Sequence, residues 1–201
     1  MSVLPPFNDV LSSNADAPGA LAQAIATLFE PSPILYSSLA PELVSHIALS
    51  SVPLTSYSDL IDAALGVISR WDNQRRAEFI AGHPRIGEVK GLSHLSAKEQ
   101  AAVATPPEVL ARLAHLNACY EHRYPGLRYI TFVNGRSRTV IKNEMEVVLG
   151  LEPSLSRDEP AVDSVNTVEI GSSEWKSELD RAVADVGRIA KSRLSALGTS
   201  A

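Results

Sequence analysis

Apolar residues recur along most of this chain at intervals of three and four, the spacing that lines one face of an α-helix. Leu21, Ile25, Leu28 and Phe29 mark a first amphipathic helix that stops near Pro31 and Pro33. Leu60, Ile61, Ala64 and Ile68, with Trp71 beyond them, mark another over 58–69, and shorter helices fit 42–49 and 73–81. Thr105-Pro106-Pro107-Glu108 has the form of a capping box with proline at the first helical position. It launches Leu110, Leu113, Leu116 and Tyr120 along one face. Helical spacing returns over 139–149. A last helix from about 173 to 197 carries Leu179, Val183, Val186, Ile189, Ala190 and Leu194, and Gly198 ends it.

Two segments break this pattern. Residues 128–133, Arg-Tyr-Ile-Thr-Phe-Val, have the composition of a strand and precede Asn134-Gly135, a pair that favours tight turns. A lone strand has nothing to pair with, so the segment is expected to run extended against helices. Residues 152–172 are rich in Pro, Ser and Asp, lack periodicity and read as a long surface connection, while residues 1–14 read as a flexible tail. No internal repeat is visible. The sum is an all-α, single-domain helical bundle over 1–201, of roughly seven to nine helices with one extended segment.

Composition narrows the function classes. A chain of 201 residues suits one core of ordinary size. A formal charge of −5 and only 5% aromatic residues exclude a nucleic-acid surface, which needs clustered cations and stacking rings. Any anionic ligand must therefore meet a locally positive site. The single cysteine, Cys119, lies in an apolar stretch and reads as a buried structural thiol in a reducing compartment. The N-terminus lacks the pattern of a signal peptide, no apolar run is long enough to span a membrane, and the C-terminal residues are not the Ser-Lys-Leu peroxisomal address. A cytoplasmic protein with no membrane partner is expected.

The candidate chemistry centres on residues 80–100. Pro84 restricts the backbone of His83 and holds its imidazole, a group that titrates near neutrality, on a defined turn. The same Gly82-His83-Pro84 also reads as a helix stop with a surface imidazole. Ser96 and Glu99 fit a capping box, yet with Gln100 they also place a hydroxyl, a carboxylate and an amide where a polar ligand would meet a helix start. His115 and His122 lack the partners that complete a metal set, so no metal is expected; His46 and His94 stand alone. Gly135-Arg136-Ser137-Arg138 reads as a small basic, solvated loop. Arg188 and Arg193 lie on an otherwise apolar helix and need anionic partners, from the protein or from a ligand.

Taken in order, several of these motifs resemble one family. Gly82-His83-Pro84 through Gly87, Ser96-x-x-Glu99-Gln100, Leu116-Asn117-x-x-Tyr120, Phe132-Val133 and the 188–194 run ending Ser192-Arg193-Leu194 occur as in 2-oxo-4-hydroxy-4-carboxy-5-ureidoimidazoline (OHCU) decarboxylases. The resemblance spans about residues 15–197. It implies an all-helical, cofactor-free homodimer that releases carbon dioxide from a small ureidoimidazoline carboxylate to give (S)-allantoin in urate degradation. Carried over by position, it makes His83 the proton donor, with Glu99 and Arg193 as further catalytic residues. Pro84, Ser96, Gln100 and the backbone of Tyr129, Ile130, Thr131, Phe132 and Val133 would contact substrate. The chain departs from the family at 124–129, at 148–150 and in the length of 152–173. These departures keep two other expectations open: a binding or scaffold protein that has lost decarboxylation, and a decarboxylase of another oxo- or ureido-acid.

Overall fold

A computed structural model describes residues 4–13, 19–88 and 105–198. Among these residues there are eight α-helices and no strand, so the chain is all-α, as the periodicity predicts. The helices are α1 (Phe7–Leu11), α2 (Gly19–Phe29), α3 (Ala40–Leu49), α4 (Tyr57–Ser69), α5 (Asn73–Ala81), α6 (Pro107–Arg123), α7 (Arg138–Leu149) and α8 (Ser173–Ala196). They fall into two compact units, one of Met1–His83 with Val183–Ala201, the other of Pro84–Ala182. The boundary runs through α8.

In the first unit α2 buries Leu21, Ala24, Ile25, Leu28 and Phe29 completely. Glu30 then turns the chain with φ 103°, a left-handed value costly to any side chain other than glycine. A π-helical turn, Leu35–Leu39, runs directly into α3. The start of α4 is a true capping box: the Asp59 N–H donates to Ser56 Oγ at 3.2 Å, and the Ser56 N–H donates to Asp59 Oδ2 at 3.0 Å. Helices α4 and α8 approach so closely at Gly187 that a Cβ there would lie 2.7 Å from Leu65 Cδ1. The stretch 4–13, part of the region read as a tail, is instead docked. Leu4 and Val10 are buried, the Phe7 ring stands edge-on to Tyr57 at 5.0 Å, and the Tyr57 hydroxyl donates to the Pro5 carbonyl.

In the second unit α6 does begin with Pro107, but the capping box expected at Thr105 does not form. Pro106 holds the N-cap position, and the Thr105 hydroxyl accepts from Arg138 Nη1 at 2.9 Å. The core of this unit contains a buried ionic group. Glu146 on α7 accepts from Arg112 Nε on α6 at 2.9 Å and from Lys142 Nζ at 2.9 Å, with all three residues under 5% exposed. The two cations also hold the 152–172 connection. Lys142 donates to the Ser154 carbonyl and Arg112 to those of Ser156 and Glu159, while the Ser154 N–H returns to Glu146 at 3.0 Å. Farther along, Val165 and Val168 are buried and the Val168 N–H donates to the Arg123 carbonyl at 2.7 Å. Polar composition placed this segment on the surface; backbone anchoring is what seats it.

Burial alone would raise the pKa of Glu146, but the hydrogen bonds from Lys142, Arg112 and the Ser154 N–H hold it below the usual carboxylate range. The folded state thus favours ionised Glu146. That contribution to stability is complete above the unfolded-state pKa and is lost as pH falls through the lower folded-state value. Glu146→Gln, which leaves two buried cations short of a counter-charge, should cost about 3–5 kcal/mol at neutral pH. Urea unfolding of both proteins across the acid range should show the difference narrowing as the wild-type carboxylate protonates.

Candidate functional site

His83 closes the last turn of α5. Its N–H donates to the Ile80 carbonyl at 3.0 Å, and the Gly82 N–H donates to Phe79 at 3.2 Å. The helix stop inferred from Gly82-His83-Pro84 is present, but the imidazole is not a surface group: His83 is 3% exposed. Its ring lies edge-on to Phe79 at 5.5 Å, and Phe79 in turn meets Phe29 at 6.0 Å and Trp71 at 6.2 Å. Gly82 is required by its neighbour, because a Cβ there would sit 2.7 Å from the Cβ of Ser32. These contacts fix the ring through close-packed apolar surfaces.

Arg193 belongs to the same unit and is 3% exposed. Its Nη2 donates to Glu30 Oε1 at 2.7 Å and its Nη1 to the Leu28 carbonyl at 3.4 Å. The anionic partner that an arginine on this apolar face needs is therefore present within the protein. One short segment, Leu28 to Ser32, touches Arg193 directly, reaches His83 through Phe29 and Phe79, and abuts Gly82.

The second unit holds Pro84 and the loop that follows it. Arg85 forks onto Glu121 of α6 with bonds of 2.6 and 3.0 Å, and its N–H donates to Glu88 Oε2 at 2.8 Å. Buried Asn117 donates to the Ile86 carbonyl at 3.0 Å, and at Gly87, with φ 84°, an added Cβ would lie 3.3 Å from Leu113 Cβ. Asn117 of the Leu116-Asn117-x-x-Tyr120 motif is thus the residue that docks the loop after His83. Tyr120 has a different task. Its hydroxyl donates to Glu178 Oε1 at 2.5 Å, and Arg181 forks onto the same carboxylate at 2.7 and 2.9 Å. Burial, together with the Glu178 carboxylate, pushes the Tyr120 hydroxyl far above the usual phenol range, so it remains a donor.

Residues 129–133 run without helix or strand. Tyr129 and Ile130 are buried, and Thr131, Phe132 and Val133 are half-buried. Tyr129 stands edge-on to Tyr120 at 5.2 Å, with the Arg181 guanidinium over its ring. Arg136, read from the sequence as part of a solvated loop, instead folds back onto this segment and donates to the Phe132 and Val133 carbonyls. Ser96, Glu99 and Gln100 lie outside the described residues, as does His94. His115 Nε2 faces the Pro160 carbonyl at 3.0 Å and Cys119 Sγ at 3.3 Å, and His122 Nε2 faces Thr167 Oγ1 at 3.3 Å. Cys119 is fully buried, and burial pushes its thiol pKa up, away from the reactive thiolate.

Comparison with known proteins supports the family resemblance. A family model described as OHCU decarboxylase matches residues 14–159. The chain belongs to the OHCU decarboxylase family. The family match includes His83, the 96–100 motif and 129–133, and it ends before Arg193. Among solved structures, the chain is similar to one titled "Crystal structure of (S)-allantoin synthase", with a TM-score of 0.56 and 17% identity over 96% of this chain. The likeness covers 54% of that chain, so this family member spans about half its length. At that identity the likeness speaks for the fold. No curated protein matches the chain.

The contact between Gly82 and Ser32 can be tested against a glycine that has room. Gly82→Ala should lower the melting temperature, by an equivalent of about 1–3 kcal/mol, because the added methyl has to displace Ser32. Gly66→Ala, inside α4 with its nearest outside atom 3.9 Å from a Cβ, should raise stability by up to about 1 kcal/mol through helix propensity. Differential scanning calorimetry of the pair gives both signs.

Proposed function

We propose that this chain is a cofactor-independent carboxy-lyase that converts 2-oxo-4-hydroxy-4-carboxy-5-ureidoimidazoline to (S)-allantoin and carbon dioxide in urate degradation. The observation that carries the reading is His83: a buried imidazole, held at the end of α5 by aromatic edges and a tight glycine contact, in a chain of the OHCU decarboxylase family. The fold likeness to a structure titled (S)-allantoin synthase supports it.

In this proposal, loss of carbon dioxide leaves an electron pair that the substrate's own conjugated ring takes up, so no external electron sink is needed. Protonated His83 delivers a proton to one face of the resulting carbanion and sets the handedness of the product. Glu99 holds the substrate hydroxyl, with Ser96, Gln100 and Pro84 as neighbours. Glu30 lies 2.7 Å from Arg193 and neutralises much of its charge, so Arg193 acts by aiming N–H donors more than by its field. Backbone N–H groups within 129–133 receive developing negative charge on oxygen. A cytoplasmic homodimer acting on this small carboxylate, with no nucleic-acid or membrane partner, completes the proposal. Among the described residues no helix is long and apolar enough to cross a membrane.

Urate oxidase and hydroxyisourate hydrolase can generate the unstable substrate in place, and circular dichroism then follows optically active allantoin. The full chain should give (S)-allantoin well ahead of the racemic background. His83→Ala should lose about 10²–10⁴-fold in rate, the range of a removed general acid. A folded wild-type chain that leaves the product racemic would favour the scaffold or alternative-substrate reading.

A further inference from the structure

The segment 129–133 has its carbonyls gripped by two arginines from opposite ends. Arg181, on α8, donates Nη1 to the Ile130 carbonyl at 2.8 Å while its other nitrogens fork onto Glu178. Arg136 follows a tight turn in which Asn134 (φ 45°) and Gly135 (φ 74°) are both left-handed and the Arg136 N–H returns to the Val133 carbonyl at 2.9 Å. This is the geometry for which Asn-Gly is favoured. The turn brings the Arg136 side chain back over the segment that precedes it. Nη2 donates to the Phe132 carbonyl and, at 2.9 Å, to Thr131 Oγ1; Nε donates to the Val133 carbonyl at 3.1 Å. Nη1 is held by Glu144 of α7.

Peptide planarity converts these anchors into a direction. In a trans peptide the C=O of one residue and the N–H of the next point opposite ways, and the bonds in this segment are trans. With the Ile130 carbonyl fixed on Arg181, the Thr131 N–H points away from Arg181. With the Phe132 carbonyl fixed on Arg136, the Val133 N–H points away from Arg136. Among the described residues neither N–H makes a hydrogen bond, and both residues are only half-buried.

From this geometry we infer that Thr131 and Val133 supply the backbone donors to substrate, and that Arg136, with Arg181, is a positioning residue that aims them. The inference rests on the decarboxylase reading and deepens it. It selects the residues whose N–H groups do the work, and it gives a function to an arginine that touches no reacting atom. A guanidinium is required for this: three oxygens in different directions, together with the Glu144 carboxylate, need a planar fork that a lysine ammonium does not supply.

The test uses the full chain in the coupled allantoin assay. Arg136→Lys and Arg136→Ala should each lower kcat/KM by about a hundredfold, the scale of a misplacement near one ångström, while melting within a few degrees of wild type. Millimolar guanidinium should restore part of the Arg136→Ala rate and none of the His83→Ala rate. In ¹⁵N spectra with added (S)-allantoin, the Thr131 and Val133 amides should shift in wild type and not in Arg136→Ala. If the alanine variant does not fold, the lysine variant decides the same comparison. Wild-type activity with kcat/KM within twofold in a folded Arg136 variant, or allantoin shifts centred on Phe132, would overturn the inference and leave the decarboxylase reading standing. A folded wild type that makes no excess of (S)-allantoin would instead remove that reading, and the inference with it.

Discussion

The arrangement around His83 depends on one buried ion pair. Glu30 and Arg193 are 163 residues apart in sequence and each about 95% or more buried, with nitrogen and oxygen 2.7 Å apart. Glu30 adopts a left-handed backbone to make the contact, a strain on the order of 1–3 kcal/mol. Burying both charges costs several kcal/mol more per ion before their attraction is counted. A pair formed on these terms adds little net stability over an apolar replacement, but it fixes positions closely. Removing either partner would strand a charge, so the Leu28 to Ser32 segment has one place to sit. From there Phe29 sets Phe79, Phe79 sets the imidazole, and Ser32 closes on Gly82.

The second unit solves a related problem. Its irregular segments have backbone carbonyls without helical partners, and such groups need donors when buried. Three arginines meet that need in the same way. Arg112 holds the carbonyls of Ser156 and Glu159, Arg136 those of Phe132 and Val133, and Arg181 that of Ile130. Each is in turn oriented by a helical carboxylate: Glu146, Glu144 and Glu178 respectively. The helices supply direction and the guanidinium fork transfers it to chain that has no regular structure of its own.

This division explains what the sequence makes legible. Helices α2, α4, α5, α7 and α8 follow from apolar spacing, since each buries a continuous stripe, and the ends of α2, α5 and α8 agree with the proline and glycine signals that follow them. Helix α1 is a single turn, too short for a period, and its docking on Tyr57 depends on residues some fifty positions away. Thr105 has the right neighbours for a cap, but two prolines follow it and Pro106 takes the cap position itself. Arg112, Arg136 and Arg193 are invisible to spacing because their carboxylate partners come from other elements, whereas Glu178 and Arg181 lie three apart on α8. Arg136 shows this most clearly: next to Asn-Gly, composition alone describes a solvated turn, while its partners are Glu144 and the Phe132 and Val133 carbonyls. His83 as a helix stop is legible locally; its burial depends on packing with Phe79, and the chemical role proposed for it rests on the family resemblance, not on its neighbours in sequence.

Charge compensation also bears on how a carboxylate would be recognised. A chain with net charge −5 has no long-range field to attract an anion. Arg193 in the first unit, and Arg136 and Arg181 in the second, each sit within hydrogen-bonding distance of a carboxylate of their own. Their monopoles are largely spent inside the protein, and at a separation of a Debye length little positive potential survives. What remains is directional: N–H groups of the guanidinium and of the backbone, set before any ligand arrives. Preorganised dipoles of this kind stabilise charge where it develops without having to reorganise. A reaction that moves negative charge from a departing carboxylate into a ring, as decarboxylation does, is better served by donors aimed at the ring than by a cation that would hold the carboxylate in place. On that argument the neutralised arginines are a condition for the proposed chemistry, and the acidic net charge is no obstacle to it.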